Sequence, residues 1–375
     1  MKFTIKKELL LDALNKVSKA ISTKNLIPVL AGIKFELKKK RLILTASDND
    51  ITIQTWIDCT NEEDFIIDRE GSIIVQGKYI LDIVRKLPAE FINIELIDEL
   101  KLLIYTENSE FNLNGISESE YPNIGLEESK KKVTINAGVF KNAIGQTAFA
   151  ASNEESKPVL TGINFNIVGD VLECNSTDSY RLARKIVKLD KDSEENYNIV
   201  VPSRNVVEFS KILYDDDEMV ELHIFSNKIL FKTNNLKFES RLINGTYPNT
   251  SNLLPDDSFL VISTNLSDFY NVIDRVSILT SDKEKNIVTL ETNDNMLILR
   301  SSSAEVGRVE EKMPITKNNK ENIKISFSAK YMMEALKSFS TETVDIHFVG
   351  EIKPILIKSS EDESLTQLVL PIRTY

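Results

Sequence analysis

Three segments of this 375-residue chain, VQGKYILDIVRKLP from Val75, VPSRNVVEFSKILY from Val201 and FSAKYMMEALKSFS from Phe327, superpose without gaps at a constant offset of 126 residues. Each runs on into an alternating strand pattern: INIELI, VELHIF and VDIHFV. A fixed period of this length means one folding unit used three times, which restricts the architecture more than any composition could. The other half of each unit recurs more loosely. FTIKKELLLDALNKVSKAIS from Phe3 matches VTINAGVFKNAIGQTAFAAS from Val133, and LVISTNLSDFYNVIDRVSIL from Leu260 is a third version. IPVLAGIKFEL and KPVLTGINFNI then set Pro28 against Pro158, and EYPNI and TYPNT close the first two units. The expectation is three similar α+β domains, 1–128, 129–256 and 257–375, each with two helices packed on antiparallel sheet. Their limits fall near EESKKK (127–132) and LLPDDS (253–258), which are charged or proline-containing and lack periodicity.

The gapless segments also repeat their charges. Lys78, Arg204 and Lys330 share one position, Asp82, Glu208 and Glu334 a second, and Arg85, Lys211 and Lys337 a third. At roughly 100° per residue all three positions lie within about 60° on a helix. Ile80, Leu81, Val84 and Leu87, with Val206, Val207, Leu213, Met332, Met333, Leu336 and Phe339, point the other way as a core face. The acid is placed for an i,i+4 pair with the first base, which leaves the second base as net charge. Helices expected at 7–20, 78–87, 137–150, 203–213, 265–279 and 329–339 hold 12 Lys+Arg against 7 Asp+Glu, although the whole chain carries −11. Acid is thus segregated from the helices. A chain so acidic does not coat nucleic acid with its whole surface, but a local basic helix face suits weak, sequence-independent contact with phosphates.

Catalytic chemistry finds little support. The two histidines, His223 and His347, sit in alternating runs that read as half-buried strand positions. Cys59 and Cys174 lie far apart in strand-like sequence and read as buried thiols, with neither a disulfide framework nor cysteine-pair metal spacing. TDSYRLA (177–183) brings an acid, a hydroxyl, a phenol and a guanidinium together, yet no histidine is near and no glycine-rich phosphate loop occurs. The acidic run Asp215, Asp216, Asp217 and Glu218 offers a Mg²⁺-dependent nuclease as an alternative, against which stands a solvated turn between helix and strand. No cofactor and no metal are expected. The first twenty residues contain no apolar run long enough for a signal peptide or a membrane span, so a cytoplasmic location is expected.

The start MKFTIKKELLLDALNKVSKA, then LIPVLAGIKFEL, TDSYRLA, GTYPN and the ending LVLPIRTY resemble, in order and over the whole chain, the bacterial sliding clamp family, DNA polymerase III subunit beta. The resemblance implies a non-catalytic processivity subunit: two protomers head to tail in a ring of six similar domains, with helices lining a hole through which duplex DNA passes. For DNA it points to Lys78, Arg85, Arg204, Lys211, Lys330 and Lys337 of the stripe, with Lys141 and Arg275 on other helices. Lys24 and Lys157, just before the two PVL segments, rank lower. For the ring interface it implies Phe111 on an edge strand of the first domain against Ile278 and Leu279 of the third. A peptide-binding scaffold that does not encircle DNA is the remaining alternative.

The same resemblance makes TDSYRLA part of a pocket for short linear peptides, typically a Gln followed by apolar and aromatic residues. These come from the polymerase III catalytic subunit, other polymerases, the clamp loader and repair proteins. Its lining here would be Leu160, Thr177, Ser179, Tyr180, Arg181 and Leu182, with Pro248 and Leu253. Tyr331, Ile352 and Pro354 would join from the third domain, and Val369, Leu370, Pro371, Ile372 and Arg373 from the last strand. Some relatives carry Gly-His where this chain has Ser179-Tyr180, a base at Asn252 and Asn at Ser328, so the preferred peptide is open. Within the chain, Thr177-Asp178 aligns with Ser47-Asp48 and loosely with Ser302-Ser303, so Asp178 reads as turn chemistry shared by the repeats.

Overall fold

Six runs with a helical apolar period and many with period two become helices and strands, as the repeat requires. The computed structural model describes residues 1–21, 27–255, 257–280 and 286–373. Its helices are α1 (Lys7–Val17), α2 (Gly77–Lys86), α3 (Ala137–Thr147), α4 (Ser203–Lys211), α5 (Leu266–Ser277) and α6 (Ala329–Lys337). Each buries one stripe: Leu10, Leu14 and Val17 on α1, Ile80 and Val84 on α2, Phe269, Val272, Ile273 and Val276 on α5, and Met332 and Leu336 on α6. Leu81, Val207 and Met333, expected in the core, are only partly buried at the edge of that face. α1 and α3 stop earlier than expected because their last turns tighten into 3₁₀ geometry at Ser18–Ala20 and Ala148–Ala150.

The chain folds into two compact units, residues 1–138 with 208–242, and 139–207 with 243–375. Each chain third still runs strand, helix, strands twice over, but the central third divides its strands between the units. In the first unit thirteen of the described strands form one antiparallel run. Leu236–Arg241 pairs with Ile51–Asp58, Leu236 opposite Thr55 and Ser240 opposite Ile51, so the first and second repeats share a sheet. Phe3 meets Phe65 edge-on at 5.8 Å, and Phe209 stacks on Phe231 at 4.6 Å. In the second unit, nine-stranded and four-stranded sheets occur among the described residues. There Arg181–Lys188 pairs with Asp362–Val369, Arg181 opposite Val369 and Leu182 opposite Leu368.

The charged stretch expected to separate the first two domains is tied down. Glu128 accepts from Lys232 and Lys237, both at 2.8 Å, Lys228 donates to the Gly125 carbonyl at 3.2 Å, and Lys132 pairs with Glu221. These contacts explain why a run without apolar residues lies ordered on the strands Met219–Ile224, Lys228–Lys232 and Leu236–Arg241. Lys232 first, then Lys237, holds the Glu128 carboxyl down at about 2. Cys174 is fully buried, which pushes its thiol up to about 12. Cys59 departs from expectation: it is half-buried at the end of its strand, where its thiol donates to the Phe65 carbonyl at 2.9 Å. His223 is buried on its strand and His347 half-buried on its own.

One repeated glycine shows how closely the units copy each other. A Cβ on Gly32 would meet Ile74 Cγ2 at 2.4 Å, and one on Gly162 would meet Val200 Cγ1 at 2.5 Å and the Val201 carbonyl oxygen at 2.8 Å. Gly162→Ala is therefore expected to cost about 1–3 kcal/mol in chemical denaturation, since backbone must shift to admit the methyl group. Glu128→Gln tests the tie. The folded carboxyl titrates below its unfolded value, so its stabilisation is complete above pH ~4.5 and is lost as pH falls toward 2. The Tm gap between wild type and this variant should be present near neutrality and close across that window; a gap independent of pH would overturn the assignment.

Candidate functional site

The strand Val171–Thr177 ends in a reversal that re-enters the sheet at Arg181. Asp178 Oδ1 accepts from the amides of Tyr180 at 2.9 Å and Arg181 at 3.1 Å, and Thr177 Oγ1 donates to the Arg181 carbonyl at 2.6 Å. Ser179 sits at φ +79°. The first repeat builds the same turn: Asp48 Oδ1 accepts from Asp50 and Ile51 at 3.0 and 2.9 Å, Ser47 Oγ donates to the Ile51 carbonyl at 3.1 Å, and Asn49 has φ +78°. Asp178 is a turn former, with Oδ1 of its carboxylate occupied by backbone amides.

Beside this turn lies an open hollow of about 380 Å³ lined by Pro158, Val159, Leu160, Ser179, Thr246 and Pro248, with Lys157 at its rim. Tyr247 backs it, its hydroxyl accepting from the Thr177 amide at 3.0 Å, and burial raises the pKa of that phenol. On the other side Tyr180, 60% exposed, stacks on Tyr331 with ring centroids 6.4 Å apart and planes at 22°. Burial, then the Asp178 charge, raises the pKa of Tyr331. The final segment is zipped alongside: the Leu370 amide donates to the Tyr180 carbonyl at 2.9 Å and the Ile372 amide to the Ser326 carbonyl at 2.7 Å. Ile352 and Leu253 are exposed, Pro354, Pro371 and Ile372 half-buried, and Arg373 exposed.

Several expected lining residues stand behind the wall instead. Thr177 and Leu182 are buried, Leu182 packing with Leu356 and Leu368 and with the half-buried Leu254. Val369 is fully buried in the core of the third repeat. Val159 and Thr246 line the hollow although sequence reasoning passed over them; their neighbours in PVL and GTYPN were the available signal.

Arg181 is no free hook. Its side chain is about 10% exposed: Nε donates to Asp178 at 2.9 Å, Nη1 to Glu334, and Nη2 to the Phe149 carbonyl at 2.7 Å. The guanidinium lies over the Tyr331 and Phe149 rings at 4.6 and 5.3 Å. Glu334 and Phe149 are the partners that sequence reasoning missed.

On the helices, Lys78, Arg85, Arg204, Lys211, Lys330 and Lys337 are all exposed. The expected i,i+4 pairs do not form. Asp82 pairs with Arg85 at 3.7 Å and Glu208 with Lys211 at 2.8 Å, each three residues on, and Glu334 goes to Arg181. An acid N-terminal to its base agrees with the helix dipole, so on α2 and α4 the first base is the one left over. Lys78, Arg204 and Lys330 have no carboxylate partner among the described residues. Lys141 is half-buried, and Arg275 forms a two-pronged pair with Glu311 at 2.8 and 2.6 Å that neutralises its charge. Lys157 stands by the hollow rather than on a helix face, and Lys24 lies outside the described residues.

Phe111, on the strand Glu110–Ile116, borders a largely apolar hollow of about 420 Å³ with Tyr79, Ile83, Leu87 and Pro88. Ile278, at the end of α5, is 74% exposed and Leu279 half-buried. Among the described residues one trio has metal-ligand geometry, Glu128, Glu221 and His223, with donor atoms within 4.8 Å. Lys232 bridges both carboxylates, at 2.8 and 3.5 Å, so ammonium groups already supply the positive charge there. Asp215–Glu218 forms a turn in which Asp215 accepts from the Asp217 amide at 2.9 Å and Glu218 from the Asn234 amide at 2.9 Å.

Family models of the DNA polymerase III beta subunit match in sequence order: the N-terminal domain over residues 1–125, the central domain over 134–249 and the C-terminal domain over 251–373. The chain is 39% identical to the beta sliding clamps of Staphylococcus epidermidis and Staphylococcus aureus, covering all of both proteins. The solved DNA polymerase sliding clamp of Bacillus subtilis superposes with a TM-score of 0.95 at 38% identity, and the DNA polymerase III beta chain of Streptococcus pneumoniae with 0.94 at 33%, each over the full length of both chains. With the threefold repeat, the shared turn and these full-length matches together, the chain belongs to the beta sliding clamp family of DNA polymerase III beta subunits.

Proposed function

We propose that this chain is a DNA sliding clamp in which two copies close head to tail around duplex DNA and tether the replicative polymerase. The observation that carries this reading is the repeated base at Lys78, Arg204 and Lys330, exposed and without a carboxylate partner among the described residues. Three copies of one unpaired charge on a helix face supply weak phosphate contacts. Closure of the ring retains the DNA, so the contacts need not grip it. Domains 1–128, 129–256 and 257–375 then give six similar units per ring. No reacting group is required, and the chain acts in the cytoplasm as the non-catalytic subunit of the polymerase III assembly.

Two features support ring closure between copies. Glu110–Ile116 pairs fully with Lys101–Tyr105 but touches Gly71–Gln76 only through Gly115 and Ile116, and Gly307–Pro314 pairs only with Met296–Ser303 among the described residues. Both strands present an open edge, and such edges invite pairing with another chain. The apolar hollow beside Phe111 on one copy suits the exposed Ile278 of the next. The hollow at Leu160 and Pro248, flanked by the Tyr180–Tyr331 shelf, takes short peptides from polymerases, the clamp loader and repair proteins. Apolar walls with few polar hooks are what such a ligand needs.

Loading onto nicked circular DNA decides the main claim: retention on the circle and release on linearisation are expected, and equal loss from both forms would favour a scaffold that does not encircle DNA. Lys78→Glu, Arg204→Glu and Lys330→Glu combined should leave folding and oligomeric state intact yet reduce loading and slow processive synthesis. Ile278→Asp with Leu279→Asp should sediment as a folded monomer, and an intact dimer would count against this interface.

A further inference from the structure

Among the three repeated acids of the helix stripe, Glu334 alone forms no ion pair within its own helix; Glu208 also reaches Lys19 at 3.6 Å but keeps its pair with Lys211. Asp82 and Glu208 each pair with the base three residues on, at 3.7 and 2.8 Å. The equivalent base on α6, Lys337, instead stands over the Tyr270 ring at 5.3 Å, and Glu334 pairs with Arg181 from the pocket turn. We propose that Arg181 is a positioning residue that holds Glu334 away from Lys330 and Lys337, keeping α6 positive for DNA while anchoring the peptide-pocket turn. The assignment rests on the DNA-facing reading of the stripe.

The geometry suits this work. Arg181 spreads its three nitrogens over Asp178, Glu334 and the Phe149 carbonyl, and its guanidinium also lies over the Tyr331 and Phe149 rings. Asp178, the Phe149 carbonyl and the two rings still hold the guanidinium if Glu334 swings, so it cannot follow that side chain. Released, Glu334 has Lys330 four residues before it and Lys337 three residues after it on the same face, the two separations at which helix side chains meet. One carboxylate would then offset charge at two phosphate-facing positions. Tyr331, adjacent to Lys330 on α6, stacks on Tyr180 in the pocket turn, so the shelf that faces a peptide and the base that faces DNA are carried by consecutive residues.

The test is binding of a fluorescent linear duplex to the full-length protein across a salt series. Arg181→Gln, which keeps bulk beside the two rings, is expected to weaken binding about three- to tenfold at low salt and to flatten the salt dependence by about one counterion. Glu334→Gln alone should stay within about twofold of wild type, because its charge is already held aside, and the double variant should return to wild type. Arg181→Lys, which keeps the charge, should bind close to wild type. A double variant as weak as Arg181→Gln, or an Arg181→Gln protein that binds like wild type, would overturn the role of Glu334. Lys330→Glu with Lys337→Glu is the separate control: if that protein still binds DNA normally, the stripe reading itself falls, whatever Arg181 does. Should Arg181→Gln fail to fold, an effect of Glu334→Gln beyond twofold in the otherwise native protein overturns the proposal, and its absence supports it.

Discussion

Unpaired strand edges are the constraint on which this structure depends. Each strand–helix–strands half makes a short sheet whose outer backbone groups need partners, and no half can supply its own. The second repeat satisfies the first through Leu236–Arg241 against Ile51–Asp58, and the third satisfies the second through Asp362–Val369 against Arg181–Lys188. Side chains then follow the seam. Leu182, Leu356 and Leu368 pack where one such pairing runs, and the buried amide of Gln367 donates to the Gln146 carbonyl and to Ser338 Oγ, both at 2.9 Å. Placing the pocket turn at the end of a seam means that its neighbours from the third repeat are fixed by backbone pairing, before any side chain contributes.

What was legible in the sequence is what periodicity controls. The helices fall in the expected windows because an apolar stripe at 3.6-residue spacing has no other way to be buried, as Phe269, Val272, Ile273 and Val276 illustrate. The repeated turn was legible for the same reason: Asp48 and Asp178 make their bonds within three residues, so the sequence contains the whole interaction. Contacts across the fold were not. Arg181 and Glu334 are 153 positions apart, and nothing local distinguishes that pairing from the i,i+4 bond to Lys330. Arg275 read as a free base because Glu311 lies on a strand 36 positions on. Leu182, Thr177 and Val369 belong to the right region, yet alternation along a strand decides which of them reach the surface, and its phase was not separable from sequence alone.

The repeat also separates scaffold from specialisation. In the first repeat the Arg241 amide donates to the Asp50 carbonyl at 3.0 Å; in the second the Leu370 amide donates to the Tyr180 carbonyl at 2.9 Å. The backbone arrangement is therefore the same at both seams, down to an Asx turn and one residue at positive φ. What differs is the pair of side chains that follow: Asp50 and Ile51 in one, Tyr180 and Arg181 in the other. Ile51 is buried, whereas Arg181 reaches Glu334 and Phe149, and Tyr180 remains exposed on Tyr331. The same turn thus carries an aromatic shelf and a link to a charged helix in the second copy, while the Asp carboxylate and the Ser or Thr hydroxyl before it keep the same backbone bonds in both. The chemical crowding of TDSYRLA has two physical origins: Thr177 and Asp178 make the turn, and Tyr180 and Arg181 give this copy its surface.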